Sequence, residues 1–340
     1  MPELRTDWLS GRAVLIAENR ALRPNEFSNA KVGEAASAAG SVVETCPFCV
    51  GSEHRTPPAV CEKRGSDGNW LVRVVPNAFP AVNNLSGAPD SIDLGPRDLS
   101  STAETIAGVH EVIIESPFHA ERMSKLSSPQ LREVVDAYSL RLQHWRETKQ
   151  LRYGLIFKNQ GPRAGASLTH VHSQLMALPF IPTAVAGELE RARQQNRQSA
   201  HCSYCTLIRQ EQTIGSRIVF NADGFIAFCP QVSWQPHEVW LMPTHHAPSF
   251  EAESPGTLDR LAQTLHILLA RFESIVPSAQ YNLLLRTAPW TDDFDESFHW
   301  RIELLPRANS LAGLEVATGV HINPLPPEQA ASQLRAAKLF

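Results

Sequence analysis

Thr169-His170-Val171-His172-Ser173-Gln174 is the stretch of sequence that decides the fold and the chemistry of this 340-residue chain. Side chains alternate between the two faces of an extended strand, so two histidines and a glutamine at every second position can lie on one face. Far upstream, Cys46-Pro47-Phe48-Cys49 supplies two thiols at a spacing that is typical of half a zinc site. Together the two stretches predict a metal-braced strand that presents one imidazole as a nucleophile.

The composition is that of a globular protein. Hydrophobic residues make up 43% and charged residues 19% of a chain long enough for one large or two ordinary domains. A net charge of -4 argues against general affinity for nucleic acid or acidic membranes. The start of the chain does not resemble a secretion signal, and no apolar run approaches the roughly 20 residues that span a bilayer. We therefore expect a cytoplasmic protein that binds neither nucleic acid nor membrane.

The chain reads as two related halves. His110-Glu111-Val112 and His237-Glu238-Val239 open similar segments, which end at His119 and His246. In each half a long helical pattern, an apolar strand and a histidine-containing strand then follow in the same order. These are predicted at 128–149, 153–158 and 170–175 in the first half, and at 255–275, 281–286 and 299–304 in the second. The pattern predicts an α+β protein made of two similar units that arose by internal duplication.

Each half also supplies two cysteines and two histidines in the same order. The two sets are Cys46, Cys49, His119 and His170, and Cys202, Cys205, His246 and His299. Thiolate and imidazole are the ligands of closed tetrahedral zinc sites, so we predict two structural zinc ions per chain. Redox chemistry is the alternative for the cysteine pairs, although neither clearly follows a strand and opens a helix, as a thioredoxin-type pair does. Ordinary strand-end histidines are the alternative for His119 and His246.

His172 is the predicted nucleophile. A neutral imidazole can attack an α-phosphorus to give a phosphoramidate, which a second acceptor then breaks. Gln174 on the same strand face is a neutral donor for a phosphoryl oxygen, and the small residues of the loop at 161–166 would let the backbone approach phosphate. A plain turn is an equal alternative for that loop. In the second half Arg301 and Glu303 take the positions of the histidine and the glutamine, so we predict one reactive half and one supporting half.

These residues resemble the galactose-1-phosphate uridylyltransferase family, a branch of the histidine triad superfamily, over nearly the whole chain. The resemblance implies two fused histidine-triad-like units, each an antiparallel sheet with a long helix. Residues 1–185 would hold the nucleophile and residues 186–340 the second metal site. It implies that His172 forms the covalent intermediate and that Gln174 contacts the phosphoryl group. The implied substrate contacts are Arg20, Arg23, Asn77, Phe79, Asn159, Ser167 and Glu315.

The resemblance implies a transferase of galactose metabolism that works by a ping-pong mechanism. It would move a nucleoside monophosphate from a nucleotide sugar to a sugar 1-phosphate or to phosphate. Family members often form dimers, so the resemblance extends to a homodimer, although no residue pattern identifies an interface. A nucleotide-sugar hydrolase and a zinc-stabilised nucleotide-binding protein are the alternatives from other classes.

The sequence departs from the uridylyltransferases at several points. A second metal that bacterial members bind would fall on Glu188, Arg286, Glu303 and Leu305, so we expect that site to be absent. The Cys202 set instead resembles a plant-type branch that transfers adenylyl groups from ADP-glucose to phosphate. These departures leave both the nucleobase and the sugar open.

Overall fold

The structure is a computed structural model that describes residues 3–7, 13–16, 42–85, 101–199, 201–291, 297–307 and 311–337. The implied phosphate contacts Arg20 and Arg23 lie outside these ranges. Among the described helices, none combines the length and the apolar character that crossing a bilayer requires.

The described residues form fourteen strands and six α-helices. The strands are β1 (Glu3–Asp7), β2 (Ala13–Ile16), β3 (Cys61–Arg64), β4 (Trp70–Pro76), β5 (Asn83–Asn84), β6 (Ser101–Thr105), β7 (Ala107–Ile114), β8 (Tyr153–Gln160), β9 (His172–Leu178), β10 (Ile218–Ala222), β11 (Phe225–Phe228), β12 (Val239–Pro243), β13 (Tyr281–Arg286) and β14 (Arg301–Pro306). The helices are α1 (Ser128–Arg146), α2 (Thr183–Ser199), α3 (Ser203–Ile214), α4 (Pro255–Ile275), α5 (Gly313–Thr318) and α6 (Pro327–Ala336).

One large sheet dominates the molecule and confirms the predicted α+β class. Its strands lie in the order β10-β11-β12-β14-β13-β8-β9-β7-β4-β3, with every neighbouring pair antiparallel, and the short β5 pairs in parallel with β7. A separate three-stranded sheet has the order β2-β1-β6. The order of the large sheet is symmetric about its centre, because each half contributes five strands in the same sequence. Internal duplication would produce this symmetry and stays a prediction.

The two halves meet at the pairing of β8 with β13. Six residue pairs run from Tyr281 opposite Gln160 to Arg286 opposite Leu155. The two units therefore share one continuous sheet. The predicted boundary between residues 185 and 186 falls near the start of α2 and stays a prediction.

The two long helices begin with the same local chemistry. The hydroxyl of Ser127 accepts a hydrogen bond from the backbone N–H of Gln130, and that of Ser254 accepts one from Thr257. A proline in the first turn follows each serine, where its missing N–H costs nothing. Both helices begin where they were predicted; α4 also has the predicted end, whereas α1 ends at Arg146 rather than at residue 149.

The apolar faces of α1 and α4 pack together against one face of the sheet. Leu131 and Leu142 of α1 join Leu261 and Leu265 of α4 in one buried cluster with inward side chains of the central strands. Alternation then places the intervening strand residues, such as Val112 of β7, on the opposite face. That opposite face carries the candidate site in the first half.

Candidate active site and metal centres

Four predicted metal ligands meet in the first half. The ligand atoms of Cys46, Cys49, His119 and His170 all lie within 4.8 Å of one another, and all four side chains are buried. The Nδ1 atom of His170 is 3.4 Å from the thiol sulfur of Cys46 and 3.6 Å from that of Cys49. The Nδ1 atom of His119 is 3.7 Å from the sulfur of Cys49. Two sulfurs and two ring nitrogens converge on one point, as a tetrahedral site requires.

The ring orientations of both histidines favour a cation at this point. The Nε2–H of His170 donates to the backbone carbonyl of Ser116 at 2.9 Å, so its Nδ1 lone pair faces the thiols. Burial lowers the pKa of His170 to about 3, which keeps the ring neutral. Nε2 of His119 lies 3.3 Å from the hydroxyl of Thr169. The histidine strand was predicted from 170, but β9 begins at His172, because the chain bends at 169–170 and turns the His170 ring toward the thiols.

The second half brings together three of its four predicted ligands. Cys202, Cys205 and His246 lie within 4.8 Å of one another, and the Nδ1 atom of His246 is 3.5 Å from the sulfur of Cys205. This group is more exposed than the first. His299 is not part of it: its ring is fully buried 5.8 Å from that of His246, and its Nδ1 lies 3.1 Å from the carbonyl of Trp300. Within the described part of the chain, Nε2 of His299 has no hydrogen-bond partner.

His172 begins β9 at the edge of the first metal group. Its Nδ1 lies 2.7 Å from the backbone carbonyl of His170, an acceptor, so the proton of the neutral ring sits on Nδ1. The lone pair of the imidazole is therefore on Nε2. The ring of Phe48, between the two cysteines, packs edge-on against His172 at a centroid distance of 5.3 Å. The imidazole is held on one side by a backbone carbonyl and on another by an aromatic ring.

A cleft of about 370 Å³ opens beside His172. Its walls combine apolar side chains with a few polar groups, as ligand pockets commonly do. The lining residues are Thr45, Pro47, Phe48, Arg55, Thr56, Pro57, Val75, Pro76, Asn77, Ala78, Phe79, Val112, Ser167, Leu168, His172 and Gln174. The predicted contacts Asn77, Phe79 and Ser167 are therefore in one cavity with the predicted nucleophile and Gln174.

Two other predicted contacts lie outside the cleft lining. The side-chain oxygen of Asn159 accepts a hydrogen bond from the amide of Asn282 at 2.8 Å, so this group is engaged within the protein. Glu315 is at the start of α5 and accepts a hydrogen bond from the backbone N–H of Ala312 at 3.0 Å. Neither Asn159 nor Glu315 is among the residues that line the cleft.

Sequence reasoning did not identify a buried ion pair beneath the nucleophile. The ammonium of Lys158 donates to a carboxylate oxygen of Glu115 at 2.7 Å and to the backbone carbonyl of His172 at 3.0 Å. Hydroxyls of Tyr138 and Ser173 also donate to the Glu115 carboxylate. The sequence feature that could have revealed the pair is a single lysine at the end of an otherwise apolar strand pattern. Because Lys158 contacts the backbone of His172, this pair fixes the start of β9.

The loop at 161–166 leads from β8 toward the histidine motif. Gly161 has φ 80°, and a Cβ at this position would meet the side chain of Gln280 at 2.6 Å, so only glycine fits. The amide of Asn282, on β13, donates to the carbonyl of Ala164 at 3.0 Å. The second half therefore supports the loop that precedes the nucleophile.

An ion-pair network fills the equivalent region of the second half. Arg301 pairs with Glu188 at 2.8 Å and with Glu303 at 2.7 Å, and Arg286 pairs with the same two carboxylates at 3.1 Å each. Burial alone would raise the pKa of Glu188, but the two guanidinium groups lower it to about 2. The resemblance had placed Leu305 in this group, but the fourth member of the network is Arg301, the first residue of β14. Each of the two carboxylates therefore pairs with two arginines.

Comparisons with known proteins identify relatives of this chain. Residues 1–182 match the family model described as galactose-1-phosphate uridyl transferase, N-terminal domain. An ADP-glucose phosphorylase from Arabidopsis thaliana is 29% identical over 343 residues, covering 99% of this chain and 93% of the relative. A galactose-1-phosphate uridylyltransferase from Thermotoga maritima is 26% identical, covering 100% and 99%. The crystal structure of an Arabidopsis thaliana ADP-glucose phosphorylase with bound ADP-glucose superposes with a TM-score of 0.75 at 27% identity, covering all of both chains.

Proposed function

Because this chain belongs to the galactose-1-phosphate uridylyltransferase family, we propose that it is a nucleotidylyltransferase that forms a covalent intermediate on His172. It would transfer a nucleoside monophosphate from a nucleotide sugar, of the UDP-glucose type, to a sugar 1-phosphate. The observation that carries the proposal is the 2.7 Å contact between Nδ1 of His172 and the carbonyl of His170. This contact leaves Nε2 as the basic nitrogen of a side chain that lines the cleft.

The first half-reaction forms one bond and breaks another. The Nε2 lone pair of His172 attacks the α-phosphorus, and the bond from that phosphorus to the bridging oxygen breaks. The sugar 1-phosphate leaves with the electron pair. The ring then carries a positive charge, which the carbonyl of His170 stabilises through the Nδ1–H bond. In the second half-reaction an oxygen of the acceptor phosphate attacks the phosphorus and the P–N bond breaks, so the imidazole returns to its neutral form.

Gln174 is proposed to stabilise the charge on the transferred phosphoryl group. It lines the cleft two residues after His172 on β9, so both side chains project from the same face of the strand. A neutral amide donates hydrogen bonds to phosphoryl oxygens and adds no charge that would have to be removed in the next step. Asn77, Phe79 and Ser167 are proposed substrate contacts in the same cleft.

We further propose that Cys46, Cys49, His119 and His170 hold a structural zinc ion, and that Cys202, Cys205, His246 and His299 hold a second. The donor set of sulfur and neutral imidazole suits zinc, and four protein ligands leave no position for substrate. A zinc ion in the first site would fix His170, whose carbonyl orients His172. In the second site, the buried Nε2 of His299 has no hydrogen-bond partner among the described residues, which supports a ligand role for this nitrogen.

A second candidate is an adenylyltransferase that uses ADP-glucose as donor and inorganic phosphate as acceptor. It is favoured by the similarity to ADP-glucose phosphorylase over 99% of this chain. The Cys202, Cys205 and His246 group supports the same candidate through the resemblance to the plant-type branch. The mechanism at His172 would be identical, and only the nucleobase and the acceptor would differ.

Intact-protein mass spectrometry tests the proposal. The protein is incubated without acceptor, once with UDP-glucose and once with ADP-glucose, and we expect a gain of one nucleoside monophosphate with one of the two donors. His172→Ala should gain nothing and should retain its zinc. His144→Ala, an exposed histidine of α1, is the matched control and should behave as the wild type.

Each alternative gives a different result in this experiment. Continuous sugar 1-phosphate release without acceptor would indicate a hydrolase rather than a transferase. Nucleotide binding that is unaffected by His172→Ala, with no adduct, would indicate a binding protein. The absence of an adduct with either donor would contradict the proposal.

We also propose that the protein is a homodimer. Leu311, Leu314, Val316, Val320 and Ile322 are 49–68% exposed within twelve residues of chain, which is a cluster of apolar surface that a second copy would cover. Sedimentation equilibrium should give twice the chain mass, and a monomer at all concentrations would contradict this.

A further inference from the structure

His110 occupies β7 next to the candidate site and has no part in the proposed mechanism so far. It is 5% exposed, and its neighbour on the same strand face, Val112, lies opposite Gln174 in the pairing of β7 with β9. Nδ1 of His110 accepts a hydrogen bond from the backbone N–H of Ala81 at 3.0 Å, and Nε2 of His110 lies 2.9 Å from Oε1 of Gln174. Both ring nitrogens are therefore engaged by groups on either side.

The contact with Ala81 fixes the tautomer of His110. A backbone N–H can only donate, so Nδ1 of His110 must carry a lone pair rather than a proton. The single proton of the neutral ring is then on Nε2, which faces Gln174. His110 is consequently a donor to Gln174, and the atom of Gln174 that it contacts is an acceptor.

Asn77 reinforces the same orientation of Gln174. The side-chain oxygen of Asn77 accepts the backbone N–H of Phe79 at 2.9 Å, so its NH₂ group points the other way. That NH₂ nitrogen lies 3.1 Å from Nε2 of His110 and 3.5 Å from Oε1 of Gln174, so the Asn77 amide and the His110 ring lie side by side against the same Gln174 oxygen. Turning the Gln174 amide over would place its NH₂ group against two donors, and both hydrogen bonds would be lost.

We propose that His110 is a positioning residue that turns the NH₂ group of Gln174 toward the transferred phosphoryl group. This inference rests on the proposed function and deepens it. With Oε1 held by His110 and Asn77, the Nε2 hydrogens of Gln174 are the ones available to the cleft, and Gln174 is pre-oriented as a donor. A hydrogen-bond donor that is already oriented toward the phosphoryl oxygens does not have to reorganise when charge develops on them. His110 is not among the residues that line the cleft, and it acts through Gln174, with its Nε2 also 3.1 Å from the side-chain amide nitrogen of Asn77.

Single-turnover kinetics of adduct formation test this role. At saturating donor, we expect His110→Phe to slow adduct formation roughly 10- to 100-fold, which is less than the roughly 100- to 1,000-fold cost of removing an oriented donor itself. Binding of the donor should change much less than the rate. His110→Gln can accept from Ala81 and donate to Gln174, so it should recover most of the rate. If His110→Phe does not fold, the Gln variant decides: a rate as low as that of Gln174→Ala, at normal zinc content, would overturn the proposal.

A double-mutant cycle separates positioning from a general structural effect. Because His110 acts through Gln174, adding His110→Phe to Gln174→Ala should cause little further loss of rate. A second loss as large as the first would show that His110 acts independently of Gln174, and the proposal would be wrong.

The tautomer can also be measured without any reaction. Nitrogen-15 NMR of labelled histidine should show His110 with its proton on Nε2, assigned by the signal that disappears in His110→Phe. A proton on Nδ1 would overturn the inference even in an active protein. If the wild type forms no adduct but His110 has the expected tautomer, the proposed function fails while the contact with Gln174 stands.

Discussion

Replacing Lys158 with methionine should destabilise the protein strongly although the side chain is not in the cleft. Lys158 and Glu115 are 1% and 0% exposed, so the substitution leaves a carboxylate buried without its cation. Breaking one partner of a buried pair costs about 3 to 5 kcal/mol. Tyr138 and Ser173 still donate to Glu115, which favours the lower end, about 3 kcal/mol. The lost hydrogen bond to the carbonyl of His172 adds about 1 kcal/mol.

Equilibrium unfolding in urea measures this loss. The expected total of about 4 kcal/mol is a large fraction of the 5 to 15 kcal/mol that stabilises a typical protein, so the midpoint should fall clearly. Lys149→Met, an exposed lysine just beyond α1, is the control and should change stability by no more than about 0.5 kcal/mol. Combining Lys158→Met with Glu115→Leu removes both charges, so much of the stability should return.

Two results would refute this reasoning. The Lys158→Met midpoint could match that of the Lys149→Met control, which would mean that the buried pair contributes nothing. Alternatively, the double variant could be as unstable as Lys158→Met alone. The loss would then come from the side-chain volume rather than from the unpaired carboxylate.

Three further predictions concern the metal sites and pH. Cys46→Ser should lose the first zinc and melt at a lower temperature, because metal binding is linked to folding; a normal melting curve without activity would contradict this. Cys205→Ser should reduce bound zinc from about two ions to about one per chain by metal analysis, and an unchanged content would remove the second site. Burial raises the pKa of Glu238 from 4.5 to about 7, so the folded state holds a proton there that the unfolded state releases, and stability falls as pH rises through this range. Urea unfolding at pH 5 and at pH 8 gives the free energy of unfolding of the wild type and of Glu238→Gln. From pH 5 to pH 8 the wild type should lose on the order of 2 to 3 kcal/mol relative to the variant. A difference that stays constant would show that Glu238 does not titrate.

The parts of the molecule that the sequence predicted well are those set by local chemistry. The bounds of α4 and β13 are the predicted ones, because each follows from an apolar pattern within one short segment of chain. The first metal group was predicted from two cysteines and two histidines that occur in matching order in both halves. In the described residues, three of the four ligands predicted for the second group also lie together.

The parts that the sequence could not predict depend on contacts between distant segments. Lys158 and Glu115 are 43 residues apart, and no spacing rule pairs them. The orientation of the His172 ring depends on a bend at 169–170, which makes the strand begin two residues later than the sequence pattern predicts. Likewise, the donor role of His110 follows from a backbone N–H of Ala81, which no side-chain motif reveals.

The pairing of β8 with β13 limits how the enzyme admits its ligands. Many two-lobed enzymes swing one lobe away from the other about a flexible hinge. Here such a swing would break the ladder of backbone hydrogen bonds along six residue pairs in the middle of the sheet. We therefore expect the two halves to move together, with entry and exit at His172 controlled by side chains and short loops at the mouth of the cleft.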